Sequence, residues 1–243
     1  MCATCGCSTS TPEHQHEHEH EHAHTHAPPR IVELEHAVLA HNRHLAEHNR
    51  EALRRRGVTA FNLMSSPGAG KTTLLERTLE QLEGAPLTVI EGDQETDADA
   101  ARIRAAGGRA VQINTGAGCH LDAAMVGRAL GELDPRGGLL FIENVGNLVC
   151  PAQFDLGEAA RVVIASITEG EDKPLKYPHM FRTADLVVLN KIDLLPHVDF
   201  SVERFAKNVE ATRPRARVMA LSARTGVGFA SWLDFVRSPH AHD

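Results

Sequence analysis

The chain has 243 residues, a formal net charge of −7 at neutral pH and an apolar fraction of 42%. The length fits one domain of about 180–210 residues plus a tail. The acidic balance argues against nucleic acid as the main partner. We find no apolar run of about 18 residues, which predicts that no segment spans a membrane. The crowded cysteines and the lack of an apolar signal segment predict a cytoplasmic, reducing setting.

Residues 1–29 predict a disordered arm that binds metal. A C-x-x-C-G-C pattern is followed by histidines at alternating positions, and the ligand candidates are Cys2, Cys5, Cys7, His14, His16, His18, His20, His22, His24 and His26. Thiolate and imidazole suit borderline divalent ions, so Ni²⁺ and Zn²⁺ are both candidates. The tract has almost no apolar residue to bury, which predicts disorder. A solvated tail with no role in metal binding remains the alternative.

Residues 30–57 predict one amphipathic helix that ends at Gly57. Its apolar residues recur at helical spacing, at Ile31, Leu34, Val38, Leu45 and Leu53. Three histidines on this helix could seat a metal; they are His41, His44 and His48. Because two of them share the apolar stripe, we expect these rings to line a half-buried packing face instead.

Residues 58–238 predict an α/β domain with a mostly parallel sheet flanked by helices on both faces. The predicted strands are 58–64, 87–90, 110–113, 138–142, 161–167, 186–189 and 217–221. The predicted helices are 71–82, 97–105, 121–130, 202–209 and 229–236. In such a sheet, ligands bind beyond the carboxyl ends of the strands, where the motifs below fall.

A phosphate-binding loop follows the first predicted strand. The segment S-S-P-G-A-G-K-T-T spans residues 65–73 and opens a helix, which is the context that a P-loop requires. Backbone amides of the loop would face phosphate, Lys71 would neutralise its charge and Thr72 would hold Mg²⁺. Ser65 stands where the motif has its first glycine, which affects the outer turn. The predicted binding residues here are Gly68, Ala69, Gly70, Lys71, Thr72 and Thr73.

The residues Asn190, Lys191 and Asp193 form an N-K-x-D pattern at the end of a buried strand, which resembles the guanine-specificity motif of GTPases. Guanine offers N1–H and an exocyclic amine, and the Asp193 carboxylate can accept from both. Adenine offers no such pair, so the pattern favours GTP and GDP over adenine nucleotides. Ser222 and Ala223, after the next strand, resemble the loop that contacts the guanine carbonyl.

A γ-phosphate sensor is predicted after the strand that ends at residue 142. Glu143 and Gly146 match D-x-x-G with Glu in place of Asp, and Glu143 would approach Mg²⁺ through water. Asp93, at another strand end, is the second acidic candidate near that ion. Asn147 stands where many GTPases have a water-positioning Gln, which predicts slow intrinsic hydrolysis.

A second metal site is predicted inside the domain, from Cys119, His120 and Cys150. The alternative is that both cysteines are small buried apolar residues. All three residues are expected on loops at the same sheet edge. Adjacent residues diverge on a helix, so we expect that Cys119 and His120 cannot readily close one tetrahedral site with Cys150 alone. Two copies across a two-fold axis could complete it, which predicts a metal site at a homodimer interface.

Three motifs together resemble the HypB family of nickel-delivering GTPases of [NiFe]-hydrogenase maturation. They are S-S-P-G-A-G-K at 65–71, G-C-H-L-D-A at 118–123 and E-N-V-G-N-L-V-C-P at 143–151. The match spans about residues 31–237, and the arm resembles the nickel-binding starts of some members. The resemblance implies a GTP-dependent homodimer with metal on Cys119, His120 and Cys150. It also implies transfer with a HypA-like partner to a hydrogenase large subunit, and that Lys173 or Lys176 reaches nucleotide across the dimer.

Cys150 lies four residues after the γ-phosphate sensor Gly146, so GTP is expected to change the geometry of the metal ligands. Two other functions remain possible: a urease-type nickel GTPase, and a nickel storage protein with an accessory GTPase. The C-H-L-D-A run and the Cys-Pro pair at 150–151 favour the hydrogenase type. The His tract alone would suit storage.

Overall fold

The computed structural model describes residues 29–82, 84, 86–94, 97–238 and 240, with side chains described from residue 33 onward. The cysteine and histidine ligands predicted in the arm all lie outside these residues. Within the described part, none of the helices combines the length and the apolar character needed to cross a bilayer.

One seven-stranded sheet forms the centre of the molecule, and every strand pair in it is parallel. The strands are β1 Thr59–Ser65, β2 Leu87–Asp93, β3 Arg109–Asn114, β4 Leu139–Glu143, β5 Ala160–Ser166, β6 Leu186–Asn190 and β7 Arg217–Ala220. Their order across the sheet is β3-β2-β4-β1-β5-β6-β7. The predicted α/β architecture is confirmed. Strand β2 runs three residues further than predicted, which brings Glu91 and Asp93 to the carboxyl edge.

Helices cover both faces of the sheet, as the buried apolar strands require. In the described part of the chain they are α1 Pro29–Arg55, α2 Lys71–Gln81, α3 Ala98–Ala105, α4 Ala123–Leu133, α5 Lys173–Lys176, α6 Pro178–Thr183, α7 Val202–Thr212 and α8 Phe229–Arg237. Helices α2, α3 and α8 pack on one face, and α1, α4, α6 and α7 on the other. The short helices α5 and α6 were not predicted; each has a proline in its first turn.

The buried face of α1 differs from the predicted one. Leu34 and Val38 are 66% and 50% exposed, and His41 and His48 are exposed. The face that packs on the domain carries Asn42, Ala46 and Asn49, together with Leu53 of the predicted stripe. The apolar stripe gave the wrong face because two of the buried residues are asparagines, whose side chains bond to main-chain groups of the domain.

Candidate functional site: a nucleotide cleft beside a cysteine–histidine cluster

The loop after β1 wraps around the amino end of α2 and forms a cleft of about 540 Å³ at the carboxyl edge. Gly68 and Gly70 have positive φ angles of 74° and 100°, which glycine adopts without strain. A Cβ at Gly70 would also fall 2.5 Å from the Asn190 amide nitrogen. The amides of this loop and of the α2 amino end form an anion-binding concavity.

Lys71 is buried at the base of this cleft. Its ammonium donates to the Ser65 hydroxyl over 2.9 Å and lies 3.8 Å from the Glu143 carboxylate. Ser65, the residue that departs from the P-loop pattern, therefore orients the lysine. A cation held this way faces an incoming phosphate without losing further side-chain entropy.

The cleft floor holds two buried carboxylates from neighbouring strands. Glu143 and Glu91 are paired in register on β4 and β2 and are 4% and 2% exposed. The Thr72 hydroxyl donates to Glu143 over 3.0 Å, whereas one oxygen of each carboxylate has no hydrogen-bond partner. Burial, and then the charge of Glu143, raises the pKa of Glu91 to about 11. Burial also raises the pKa of Glu143, and the charge of Lys71 opposes that shift.

Such a floor suits a divalent cation. Two orphaned carboxylate oxygens and a hydroxyl are hard oxygen ligands of the kind that Mg²⁺ accepts, and a cation would supply the charge that the carboxylate pair lacks. Asp93 and Asp99 line the same cleft. The residues present therefore fit the predicted magnesium ion.

A second cavity, of about 280 Å³, adjoins the first and is lined in part by Asn190, Lys191 and Asp193. The Asn190 amide donates to the Ala69 carbonyl over 2.9 Å and the Lys191 ammonium to the Gly68 carbonyl over 2.6 Å. The first two residues of N-K-x-D thus brace the phosphate loop, which leaves Asp193 as the group facing a base.

The loop after β7 forms hydrogen bonds to two residues of the N-K-x-D pattern. The Ser222 hydroxyl donates to the Asp193 carboxylate over 2.6 Å, and the Ala223 amide donates to the Asn190 side-chain oxygen over 3.0 Å. Neither Ser222 nor Ala223 is among the residues that line the second cavity, whereas Arg224 is. Their contacts in this structure are therefore with the N-K-x-D residues.

The predicted γ-phosphate sensor lies against the phosphate loop. Gly146 lines the cleft, and a Cβ there would fall 3.0 Å from the Cα of Pro67. A side chain at this position would require the loop at Pro67 to shift by a few tenths of an ångström. The segment that begins at Glu143 therefore touches the nucleotide cleft at both of its predicted contact points.

The same segment then reaches a cluster of three metal-ligand side chains. The ligand atoms of Cys119, His120 and Cys150 all lie within 4.8 Å of one another. Cys150 is buried and the other two are half-buried. Zinc bonded to sulfur and nitrogen would hold such atoms about 3.3–3.8 Å apart. A small closure of the loops would therefore bring the three ligand atoms to the spacing of a bound metal ion.

This geometry corrects the expectation that the two adjacent residues diverge. Cys119 and His120 precede α4 in an irregular bend, so helical geometry does not separate them. The His120 ring stacks on Phe154, with centroids 3.9 Å apart and planes at 17°. Burial lowers the pKa of His120, which keeps the ring in its neutral, metal-binding form at pH 7.

Asn147 holds Cys150 in place. Its side-chain oxygen accepts from the amides of Val149 and Cys150, over 2.7 Å and 3.2 Å. Asn147 is not among the residues that line the nucleotide cleft. The residue predicted to orient water is therefore engaged, in this structure, in fixing the turn that carries a metal ligand.

Two buried asparagines of α1 tie the loops of the cluster together. The Ala123 amide donates to Asn42, and the Asn42 amide donates to the Asp155 carbonyl over 2.7 Å. Asn49 donates to the carbonyls of Ala123 and Leu156, over 2.8 Å and 3.1 Å. Helix α1 thus links the segment after His120 to the segment after Cys150. Sequence reasoning missed both asparagines because it searched this helix for apolar residues.

Side-chain hydrogen bonds also join the cleft to the cluster. Asn144, which lines the cleft, accepts from the Leu121 amide over 3.1 Å, next to His120. Gln94, which also lines the cleft, donates to the Gly118 carbonyl over 3.3 Å, next to Cys119. Both bonds reach the segment that carries Cys119 and His120, whereas the segment that carries Cys150 continues directly from Gly146 of the cleft.

The two lysines predicted to reach nucleotide across a dimer, Lys173 and Lys176, make contacts with neighbouring residues of their own chain. Lys176 pairs with Asp172 over 2.6 Å, and the Lys173 ammonium lies 5.2 Å from the centroid of the Tyr177 ring. Arg102 of α3 lines the cleft and was missed, as was Glu91. The sequence signal that could have identified Glu91 is its position as a charged residue beside a predicted strand end.

Comparisons with known proteins agree on one family. Residues 59–220 match the family model described as CobW/HypB/UreG, nucleotide-binding domain. A hydrogenase maturation factor HypB of Azotobacter chroococcum mcd 1 is 58% identical over 209 residues, which cover 85% of this chain and 68% of that protein. The crystal structure of hydrogenase maturation factor HypB from Archaeoglobus fulgidus is 46% identical, with a TM-score of 0.77 over 82% of this chain and 98% of that one. A HypB structure from Helicobacter pylori in complex with nickel is 38% identical, with a TM-score of 0.77 over 80% of this chain and 93% of that one.

Proposed function

We propose, from the premise that this chain belongs to the HypB family of hydrogenase maturation factors, that it is a GTP-hydrolysing nickel metallochaperone. It binds nickel and delivers it to the [NiFe]-hydrogenase large subunit, in concert with a HypA-like nickel chaperone. Nickel is the cargo of this reaction. One observation carries the proposal: a single segment contacts the nucleotide cleft at Glu143 and Gly146 and supplies Cys150 to the metal-ligand cluster.

Binding of GTP follows from the cleft. The phosphate-loop amides and Lys71 bind the phosphates, and Asp193 accepts the two guanine donors. Thr72 and Glu143 would hold Mg²⁺, with Asp93 beside them. When bound, that ion neutralises charge on the phosphates. The affinity of Asp193 for guanine explains a preference for GTP over ATP.

Coupling of GTP to the metal follows from Asn147. To orient a water at the γ-phosphate, its side chain must release the amides of Val149 and Cys150 that it now caps. The same release frees the Cys150 turn. Hydrolysis and the geometry of the metal ligands are thereby connected, and the coupling acts in both directions.

The three-ligand cluster also suggests how two copies associate. The described residues of one chain offer two sulfurs and one nitrogen at this place, so a tetrahedral site needs a fourth ligand. A homodimer would bring a second cluster to the same place, and Zn²⁺ as well as Ni²⁺ can use these donors. Lys173 or Lys176 would reach the nucleotide of the other copy after leaving its present contact.

Delivery is tested by reconstitution. The nickel-loaded full chain is mixed with purified nickel-free hydrogenase large subunit and a HypA-like partner, and nickel in the large subunit is measured. We expect transfer with GTP and little transfer with a non-hydrolysable analogue. Equal transfer with both nucleotides would contradict a role for hydrolysis.

A storage role makes a different prediction. Removal of residues 1–26 should abolish most of the bound nickel of a storage protein. For a delivery protein, transfer to the large subunit should persist without these residues when nickel is plentiful. The nickel content and the transfer are therefore measured on the same truncated chain.

A further inference from the structure

Helix α1 carries a pair of histidines that the nucleotide cleft and the cysteine–histidine cluster do not use. His44 and His48 lie one helical turn apart, and both are exposed. Their Nε2 atoms are 3.3 Å apart, and their rings meet edge to face with centroids 4.7 Å apart. The pair lies on the outer face of the helix, opposite the face that Asn42 and Asn49 bind to the domain.

The distance between the two nitrogens matches that of two ligands on one metal ion. Zinc–nitrogen bonds of about 2.0–2.1 Å, at a tetrahedral angle, place two imidazole nitrogens about 3.3 Å apart. The i, i+4 spacing places both side chains on one face of the helix without any change of backbone. One ring donates an Nε2 hydrogen bond to the other. When an ion binds, the donor ring carries its proton on Nδ1 instead, so both Nε2 atoms can coordinate.

The rigidity of this part of α1 supports a preformed site. The buried asparagines on the opposite face fix the helix by hydrogen bonds at residues 42 and 49, which flank the pair on both sides. Chelation therefore needs only the ordering of two exposed rings. Most of the entropy cost of bringing the two ligands together is already met by the fold.

We propose that His44 and His48 form a divalent-metal site on the outer face of α1, separate from the cluster of Cys119, His120 and Cys150. Imidazole nitrogen suits Ni²⁺ and Zn²⁺, and water completes the coordination. With two protein ligands and full exposure, the site exchanges its ion readily. It does not depend on nucleotide binding or on delivery to a hydrogenase.

Chemical footprinting of the full chain tests this site by residue. Diethyl pyrocarbonate modifies accessible imidazoles, and peptide mass spectrometry locates each adduct. Increasing Ni²⁺, and separately Zn²⁺, should reduce modification of His44 and His48 at least fivefold. His197, which is exposed and lies after β6, should change less than twofold.

Single variants decide whether the two rings act together. In His44→Ala, protection of His48 should be lost, because one imidazole cannot chelate. His36→Ala, which removes another exposed histidine of α1, should leave the protection of His48 intact. Protection of His48 that survives His44→Ala, or no protection of either ring in the wild type, would overturn the proposal. The footprint is read without nucleotide, so a failed delivery experiment leaves this result unaffected.

Discussion

The nucleotide cleft and the cysteine–histidine cluster lie at the same edge of the sheet but are built in different ways. The cleft comes from contiguous motifs that bond to one another: Lys71 to Ser65, and Asn190 to the loop at Ala69. The cluster takes its ligands from two separate loops, which Asn49 of α1 joins, and Asn147 fixes the turn that carries Cys150. Each part of the cleft is thus specified by a contiguous motif, and tertiary hydrogen bonds join the motifs, whereas the ligands of the cluster share no contiguous motif. The segment from residue 143 to 150 belongs to both.

The largest effect is expected for Asp193→Asn, which should alter the cleft alone. The carboxylate accepts two hydrogen bonds from guanine, each about 1.5–3 kcal/mol when one partner is charged. Affinity for GTP should fall on the order of 10²–10³-fold, and affinity for xanthosine triphosphate should rise. Nucleotide titrations measure both, with the exposed Asp199→Asn as control. Unchanged GTP affinity would remove Asp193 from the base site.

Lys71→Ala should weaken the phosphate part of the cleft. Loss of a charge-assisted contact costs about 1.5–3 kcal/mol, so we expect GTP affinity to fall about 10- to 100-fold. Metal bound by Cys119, His120 and Cys150 should persist in the absence of nucleotide. Lys207→Ala, which removes a lysine on the exposed face of α7, is the control. If the metal is lost as well, Lys71 is also needed for the geometry of the metal-ligand cluster.

Sequence reasoning succeeded for the cleft because its signals are contiguous. The phosphate loop, the N-K-x-D pattern and the E-x-x-G pattern each predicted a strand end, and the structure places Lys71, Asp193 and Gly146 around adjoining cavities. Those positions follow because the carboxyl ends of parallel strands meet at one edge of the sheet, and the buried apolar strands predict such a sheet.

Sequence patterns gave the wrong result where polar side chains are buried. The stripe of Leu34 and Val38 predicted the wrong face of α1, because the helix is held through Asn42 and Asn49. The position of Glu91 beside a predicted strand end was visible in the sequence, but its burial depends on its register with β4, which no local pattern reports. Both cases are polar side chains whose partners are distant in sequence.

Asn49→Ala should act on the cluster and spare the cleft. It removes two hydrogen bonds to buried carbonyls, and each unsatisfied group costs about 1–3 kcal/mol. We expect the free energy of unfolding to fall by about 2 kcal/mol and metal affinity at the cluster to fall severalfold, with GTP affinity unchanged. Chemical denaturation and metal titration give these values.

A matched control is Asn208→Ala, which also removes a side-chain hydrogen bond to a carbonyl, that of Glu171 on the far side of the domain. It should reduce stability without changing the metal affinity of the cluster. If both variants weaken metal binding equally, the effect is general destabilisation and α1 has no special role.

The smallest effect on ligand affinity is expected for the cleft floor, whose pH dependence acts on the stability of the fold. The pKa of Glu91 is raised from 4.5 to about 11, so the folded state holds a proton that the unfolded state releases above pH 4.5. Stability of the nucleotide-free protein should therefore fall as the pH rises between these values, by up to about 1.4 kcal/mol per pH unit. Glu91→Gln should flatten that slope.

Denaturation curves at pH 6 and pH 8 measure the slope, with Glu132→Gln on the exposed side of α4 as control. The control should keep the slope of the wild type. A wild-type slope that Glu91→Gln does not change would show that Glu91 is ionised in the empty cleft.

The central claim is that GTP acts on the metal through the segment that both regions share. The most direct measurement is a titration of Ni²⁺ at the cluster in the presence of a non-hydrolysable GTP analogue and of GDP, on the wild type and on Cys150→Ala, with occupancy of both sites confirmed. We expect different Ni²⁺ affinities in the two nucleotide states for the wild type and no such difference for Cys150→Ala. Equal affinities in the wild type would contradict it.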